Sequence, residues 1–207
     1  MTRQLKRVPI TGGLSEPVLT ATPYGRPHCA RAPATLCVIA ERTSNLTQLV
    51  FTAIDALKGR GSELARWPTE ASTAARYGWD LSPDGTRIAV LKYPEARIHL
   101  LPLNAQPTQE VIVQGWGNLH SVNWTAGGKG MFVTSATQGG SAVLHVDLTG
   151  KARVLWEQKG NFTWSLPFFD EVLNGTSTPA VVPSPDGRHL AIYDWSLSAN
   201  MWMMENF

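Results

Sequence analysis

Apolar and polar residues alternate in short runs along this chain, and turns rich in glycine and proline separate the runs. The clearest example, Trp79–Val90, has two such runs around Ser-Pro-Asp-Gly; it returns as Val182–Ile192 and, more divergently, as Val122–Val133. Proline and aspartate suit the middle of a type I turn, and glycine supplies the positive φ that follows it. The β-branched residues after the turn fit a half-buried pleated strand. Each copy therefore predicts a β-hairpin.

Further strands are expected after each hairpin. Polar turns lead to third strands at Ile98–Leu103, Leu144–Leu148 and Met201–Met204, and two units continue to fourth strands at Glu110–Val113 and Arg153–Trp156. Four short antiparallel strands in a unit of roughly forty to fifty residues are typical of a β-propeller blade.

The N-terminal part of the chain fits the same template less closely. Cys29–Cys37 predicts a hairpin, Leu49–Ile54 a third strand and Glu63–Arg66 a fourth, while Leu5–Ile10 and Pro17–Thr20 predict the last two strands of an earlier blade. We therefore expect an all-β chain, one partial β-propeller domain with about three whole and two partial blades. The blade segments are expected at about residues 1–22, 27–68, 77–115, 120–157 and 179–207.

The repeated turn and its flanking strands resemble the WD40-like, or TolB-type, β-propeller repeat family. The stretch Pro183–Ile192, running into Asn200–Phe207, resembles the C-terminal propeller of bacterial serine/threonine kinases or winged-helix transcriptional regulators. That resemblance implies a non-catalytic sensory or scaffolding module that binds a protein partner. The turn residues that carry it are Ser82, Pro83, Asp84, Gly85, Ser184, Pro185, Asp186 and Gly187.

The count of strands indicates an incomplete ring, because the last blade would keep an open edge. We therefore expect the chain to be the C-terminal part of a longer propeller, with the missing upstream half or a protein partner beside it. No apolar run is long enough to span a bilayer, and no signal peptide is evident. The chain alone would stay in the cytoplasm, whereas the tail of a membrane-tethered regulator would lie on the periplasmic side.

Composition and motifs argue against several other functions. The net charge of +2 with scattered basic residues does not favour direct nucleic-acid binding. No Gly-x-Ser-x-Gly elbow or phosphate-binding loop occurs, and Asp84 and Asp186 sit in turns that use aspartate for local hydrogen bonds. His99 and His145 occupy equivalent third-strand positions, which favours packing. We expect no catalytic residues, cofactor or metal; the alternative is an accessory propeller that gates a hydrolase domain absent from this chain.

The two cysteines lie symmetrically about Pro33, so the hairpin register should place Cys29 opposite Cys37. Two interpretations remain open. The pair is either two buried thiols that pack as small hydrophobic groups, or a disulfide that forms in an oxidising compartment.

One segment departs from the repeat and is the candidate binding site. The connection between Trp156 and Val181 is longer than the matching link after Val113, and such long connections are often functional. Its aromatic side chains lie beside Asp170 and Glu171, so they predict a recognition surface or, alternatively, a cap on the neighbouring blades. The aromatic residues are Phe162, Trp164, Phe168 and Phe169.

Overall fold

The structure, a computed structural model, describes residues 2–22, 27–72, 76–104, 106–138, 140–159 and 180–193. These residues form strands and turns, and none of them belongs to a helix that could cross a membrane. The strands are β1 (Arg3–Arg7), β2 (Glu16–Ala21), β3 (Pro27–Cys29), β4 (Cys37–Arg42), β5 (Gln48–Asp55), β6 (Gly59–Pro68), β7 (Arg76–Leu81), β8 (Arg87–Tyr93), β9 (Arg97–Pro102), β10 (Gln109–Ile112), β11 (Leu119–Trp124), β12 (Gly130–Thr137), β13 (Gly140–Asp147), β14 (Ala152–Lys159), β15 (Ala180–Pro183) and β16 (Leu190–Tyr193).

Within each sheet, neighbouring strands are consecutive in the chain and antiparallel. Three sheets have four strands: the first blade (β3–β6), the second blade (β7–β10) and the third blade (β11–β14). β1–β2 and β15–β16 each form a two-stranded sheet. The predicted all-β fold of four-stranded antiparallel blades is confirmed, because each four-stranded sheet is an open meander of consecutive strands.

The Ser-Pro-Asp-Gly turn between β7 and β8 is held by its own polar groups. The Ser82 N–H donates to the Arg87 carbonyl at 2.8 Å, and the Gly85 N–H donates to the Ser82 carbonyl at 2.9 Å, with Gly85 at a φ of 72°. The Asp84 carboxylate accepts the Ser82 hydroxyl at 2.6 Å and the Thr86 N–H at 3.1 Å. Burial opposes ionisation of Asp84, but these hydrogen bonds outweigh it and lower the pKa of the carboxyl group.

The other turns repeat this geometry with different residues. Between β15 and β16, the Ser184 N–H donates to the His189 carbonyl at 2.9 Å and Asp186 accepts the Arg188 N–H at 3.0 Å. Between β11 and β12, the Thr125 N–H donates to the Gly130 carbonyl at 2.9 Å, although this turn has neither proline nor aspartate. Backbone geometry is therefore shared even where the sequence motif has been lost.

Apolar side chains fill the spaces between adjacent blades. One cluster lies between the first and second blades and the other between the second and third. Strand β8 contributes to both, because Ile88 and Val90 enter the first cluster while Ala89 and Leu91 enter the second. This is the two-residue period of a strand whose two faces are both buried. The largest fully buried side chains at the two interfaces are Phe51 and Trp124.

Several predicted strand limits differ from the observed ones, because backbone pairing continues through polar residues that face solvent. The predicted strand Leu5–Ile10 is Arg3–Arg7 in the structure, and the predicted Glu63–Arg66 extends to Gly59–Pro68. The third strand predicted at Leu144–Leu148 begins earlier, at Gly140, since β12 and β13 pair as far as Thr137 and Gly140. The strand predicted at Met201–Met204 lies outside the described residues.

The carboxylate of Asp80 joins three blades. Its Oδ1 lies 2.7 Å from Nδ1 of His28 in the first blade, and its Oδ2 accepts the backbone N–H of Trp124 in the third blade at 2.7 Å. The Trp124 indole N–H also donates to the Asp80 carbonyl at 3.3 Å. The His28 ring lies 4.3 Å from the ring of Trp79, so the same histidine packs against the second blade. The first strands of the three blades are therefore fixed to one another by directional bonds.

Replacing Asp80 by alanine should lower the free energy of unfolding by about 2 kcal/mol, because the Trp124 amide and the His28 imidazole lose their acceptor. Urea denaturation at neutral pH measures the change. Asn123→Ala is the matched control: Asn123 holds the same place before the third-blade turn, and its side chain bonds to no described residue. Equal losses from the two substitutions would contradict the role given to Asp80.

His120 in β11 is an imidazole placed where a charge is poorly tolerated. Its ring lies 4.1 Å from the ring of Tyr93, and its Nε2 is buried without a hydrogen-bond partner among the described residues. Burial lowers the pKa of His120 from 6.5 to about 4. The folded chain therefore holds this side chain neutral at pH values where the unfolded chain would protonate it.

Acidification should destabilise the protein through His120 before the carboxylates titrate. As the pH falls from 6.5 towards 4, the unfolded state takes up a proton that the folded state does not, so stability declines across that window. Between neutral pH and about pH 4.5, the free energy of unfolding of the wild type should fall by about 2 kcal/mol more than that of His120→Gln. Urea denaturation across this range measures both curves. If the free energies of unfolding of the two proteins change in parallel with pH, the role given to His120 is wrong, whatever the substitution costs at neutral pH.

Candidate functional site

Four successive hairpin turns meet around one cleft: residues 30–36, 82–87, 125–130 and 184–189. The Arg31 N–H donates to the Pro83 carbonyl at 2.7 Å, which joins the first turn to the second. The third and fourth turns are so close that a Cβ on Gly187 would lie 2.9 Å from the Ala126 Cβ. Each turn is also closed by its own backbone hydrogen bonds, so the cleft has rigid walls.

This turn cleft has a volume of about 870 Å³. The small alanine and glycine residues leave the space open, and prolines form part of its walls. Charged residues from several turns border it. A further turn, between β13 and β14, contributes Asp147, Leu148 and Thr149. The remaining lining residues are Arg31, Ala32, Pro33, Ala34, Pro83, Asp84, Arg87, Ala126, Gly127, Gly128, Lys129 and Pro185.

The three basic side chains of the cleft come from three different turns. Arg31 crosses from the first turn to the fourth, where one guanidinium nitrogen donates to the Ser184 carbonyl at 3.1 Å and the Pro185 carbonyl at 3.2 Å. Arg87 lies over the Trp124 ring at 4.9 Å and donates to the Gly128 carbonyl at 3.5 Å. Lys129 is exposed and bonds to no described residue.

The two carboxylates of the cleft serve their own turns. Asp147 accepts the Thr149 hydroxyl at 2.6 Å and the N–H groups of Thr149 and Lys151 at 2.9 and 3.1 Å. The Thr149 hydroxyl, followed by these N–H groups, lowers the pKa of Asp147. Like Asp84, it stays ionised at neutral pH while one of its oxygens is occupied as an acceptor.

A disulfide closes the base of the first turn. Cys29 and Cys37 face each other in the β3–β4 register, with Cα atoms 4.0 Å apart, and their sulfur atoms are bonded. Cys29 is exposed and Cys37 half-buried, so the alternative of two buried thiols does not describe this pair. The bond joins the two ends of the turn that carries Arg31 into the cleft.

The predicted binding residues Phe162, Trp164, Phe168 and Phe169 lie outside the described residues, and nothing in the structure places them. Of the strand histidines, His99 packs at 4.5 Å against the Trp67 ring. His145 lies at 5.9 Å from the Phe132 ring, edge to face. Within the described ranges, no group of three or more His, Cys, Asp or Glu side chains could hold a metal ion.

Sequence reasoning did not single out the basic residues of the turn cleft. Arg31, Arg87 and Lys129 are spaced widely along the chain, so no local motif marks them. A usable signal was present, because each lies within or directly beside a hairpin turn of the repeat. Turns at equivalent places in successive blades are expected to gather on one side of a propeller.

Comparison with solved structures identifies the fold. TolB from Acinetobacter baumannii superimposes with a TM-score of 0.60 at 16% identity, over 95% of this chain and 44% of TolB. A 6-phosphogluconolactonase-like protein from Bacteroides uniformis gives 0.54 at 12% identity, over 92% of this chain and 56% of that protein. Hydrazine synthase from Kuenenia stuttgartiensis gives 0.51 at 17%, over 91% and 49%.

These likenesses show a TolB-type β-propeller fold and, at such identities, the fold alone. The chain spans about half the length of each of these proteins. Its three four-stranded and two two-stranded open sheets fit an incomplete propeller. No protein-family model matches the sequence, and no curated protein matches it significantly.

Removing the disulfide should weaken the first blade without abolishing the fold. Replacing both Cys29 and Cys37 by serine removes a crosslink between residues with a sequence separation of 8. The unfolded chain then gains conformational entropy, which should lower the free energy of unfolding by about 2 kcal/mol. Urea denaturation of the wild type, the double variant and the wild type in reductant measures the effect. The reduced wild type should match the double variant; an unchanged midpoint in both would contradict the prediction.

Proposed function

We propose that this chain is a non-catalytic β-propeller module that binds a protein partner through the turn cleft. In this proposal it is the sensory or interaction part of a bacterial signalling or regulatory protein. The observation that carries the proposal is a rigid, open cleft built jointly by four successive hairpin turns. The resemblance of its C-terminal stretch to the propellers of bacterial regulators supports the biological setting.

The shape of the cleft favours a protein ligand. Its walls are turns closed by internal hydrogen bonds, so binding would require little further ordering of this chain. Its volume of about 870 Å³ lies at the upper end of small-molecule sites, and its walls come from hairpins spread along the chain. A binding surface presented by loops on a rigid sheet scaffold is a common arrangement in proteins.

The chemistry of the lining supports binding rather than catalysis. Asp84 and Asp147 have lowered pKa values and accept hydrogen bonds from their own turns, so neither is suited to take up a proton near neutral pH. The Thr149 hydroxyl already donates to Asp147. Among the described residues that line the cleft, no histidine or cysteine could act beside it as a base or nucleophile.

Two further features fit the proposed setting. The Cys29–Cys37 disulfide supports an oxidising compartment, as expected for the tail of a membrane-tethered regulator. The aromatic residues Phe162, Trp164, Phe168 and Phe169 are proposed, on sequence grounds, as a second contact surface for the partner or for the upstream half of the propeller.

A bulky side chain in the cleft should block partner binding without disturbing the fold. A Cβ on Gly127 would meet no atom within 4 Å, so Gly127→Trp can place its indole in the open space. Gly117→Trp is the matched control: Gly117 is equally open but lies before β11, whereas Gly127 follows that strand. The two tryptophans therefore lie at opposite ends of the blade.

The measurement is photocrosslinking in the native host, with a benzophenone side chain at Leu148 in the cleft wall. The unblocked chain and Gly117→Trp should give the same protein adduct, and Gly127→Trp should lose most of it. An adduct that survives Gly127→Trp, or one that only Gly117→Trp removes, would overturn the proposed binding surface. Thermal unfolding of both variants establishes that each is folded.

A further inference from the structure

Hydrogen-bond donors in the turn cleft outnumber the acceptors left to receive them. Lys129 has no bond to a described residue, and the hydrogen bonds that the Arg31 and Arg87 side chains make to described residues each use a single guanidinium nitrogen. A guanidinium carries five N–H donors and an ammonium three. Most of the donors on these cations are therefore free to bind a ligand.

Each carboxylate of the cleft accepts hydrogen bonds from its own turn through one oxygen, Oδ1. Asp84 receives the Ser82 hydroxyl together with the N–H and hydroxyl of Thr86. Asp147 receives three hydrogen bonds from its own turn. The carbonyls of Ser184 and Pro185 are occupied by Arg31. The second oxygen of each carboxylate accepts no hydrogen bond from a described residue, but the free donors of the three cations still outnumber these two oxygens. A ligand that uses those donors must bring acceptors of its own.

We infer that the turn cleft binds an acidic segment of the partner protein, an extended stretch that carries several aspartate or glutamate side chains. This inference rests on the proposed function and adds the chemical class of the partner. Carboxylates pair with guanidinium and ammonium groups through charge-assisted hydrogen bonds, which are among the stronger polar contacts in proteins.

The distribution of the cations favours a chain of carboxylates over one small anion. Arg31, Arg87 and Lys129 belong to three different turns, and the cleft they border measures about 870 Å³. A phosphate or a single carboxylate would fill only a small part of that space. An extended acidic segment can place successive carboxylates against successive turns. Nucleic acid is disfavoured, because the net charge of the chain is only +2.

Lys129 is the residue best suited to test the inference. It is exposed and makes no bond that supports the fold, whereas Arg31 and Arg87 also brace neighbouring turns. Lys159→Glu is the matched control, since Lys159 is also exposed and the change in charge is identical. Lys159 ends β14, roughly 20 Å along the strand from the turn that lines the cleft.

The experiment measures fluorescence anisotropy of a labelled oligo-glutamate peptide with the purified chain. Lys129→Glu should weaken binding about tenfold, and Lys159→Glu should leave it nearly unchanged, because only the cleft contacts are desolvated by the peptide. An oligo-glutamine peptide of equal length should not bind. Raising the salt concentration from about 0.05 to about 0.3 M should weaken binding further, since these charges lie near the surface.

Other outcomes overturn the inference in distinguishable ways. Equal weakening by both lysine substitutions would mean that only net charge is sensed. Competition by inorganic phosphate as strong as by unlabelled peptide would identify a small-anion site, and stronger competition by oligothymidylate would identify a nucleic-acid surface. If Gly127→Trp removes the crosslinked adduct but oligo-glutamate does not bind the cleft, the proposed function stands and the inference of an acidic partner segment is wrong.

Discussion

The Asp80 carboxylate is the contact on which the arrangement of the blades depends. Hydrogen-bonded ladders hold the strands within each sheet, whereas apolar packing between blades is largely non-directional and tolerates sliding. Asp80 supplies direction, because its two oxygens reach His28 in the first blade and the Trp124 amide in the third. One carboxylate thereby links the first strands of three sheets, and buried apolar clusters fill the spaces between those sheets.

The turn cleft follows from this placement. Once the first strands are aligned, the turns after them come together, and Arg31 can reach the Ser184 and Pro185 carbonyls. Asp84 and Asp147 each use one oxygen within their own turn, whereas Arg31, Arg87 and Lys129 keep most of their donors free of bonds to described residues. The cleft thus has three cations against two carboxylates and an excess of free donors, which is the basis of the proposed acidic partner.

Local rules allowed the hairpins and the all-β fold to be predicted, since turns such as Ser82–Gly85 depend on neighbouring residues. The Asp80–His28 contact could not be predicted in this way, because it joins residues 52 positions apart in different sheets. Alignment of the turns would have given a clue, as His28, Asp80 and Asn123 each stand two residues before the first residue of a turn. The cysteine register was predictable from symmetry, but the oxidation state was not, since opposed thiols and a disulfide share the same register.

The bond from Arg31 to the fourth turn has a consequence for the timing of biosynthesis. Its partners lie 153 and 154 residues further along the chain, so a ribosome must make most of the described protein before the cleft can close. Contacts of such long range also form slowly, because the intervening chain must first be organised. A nascent chain would therefore expose its early blades before the proposed binding cleft is assembled.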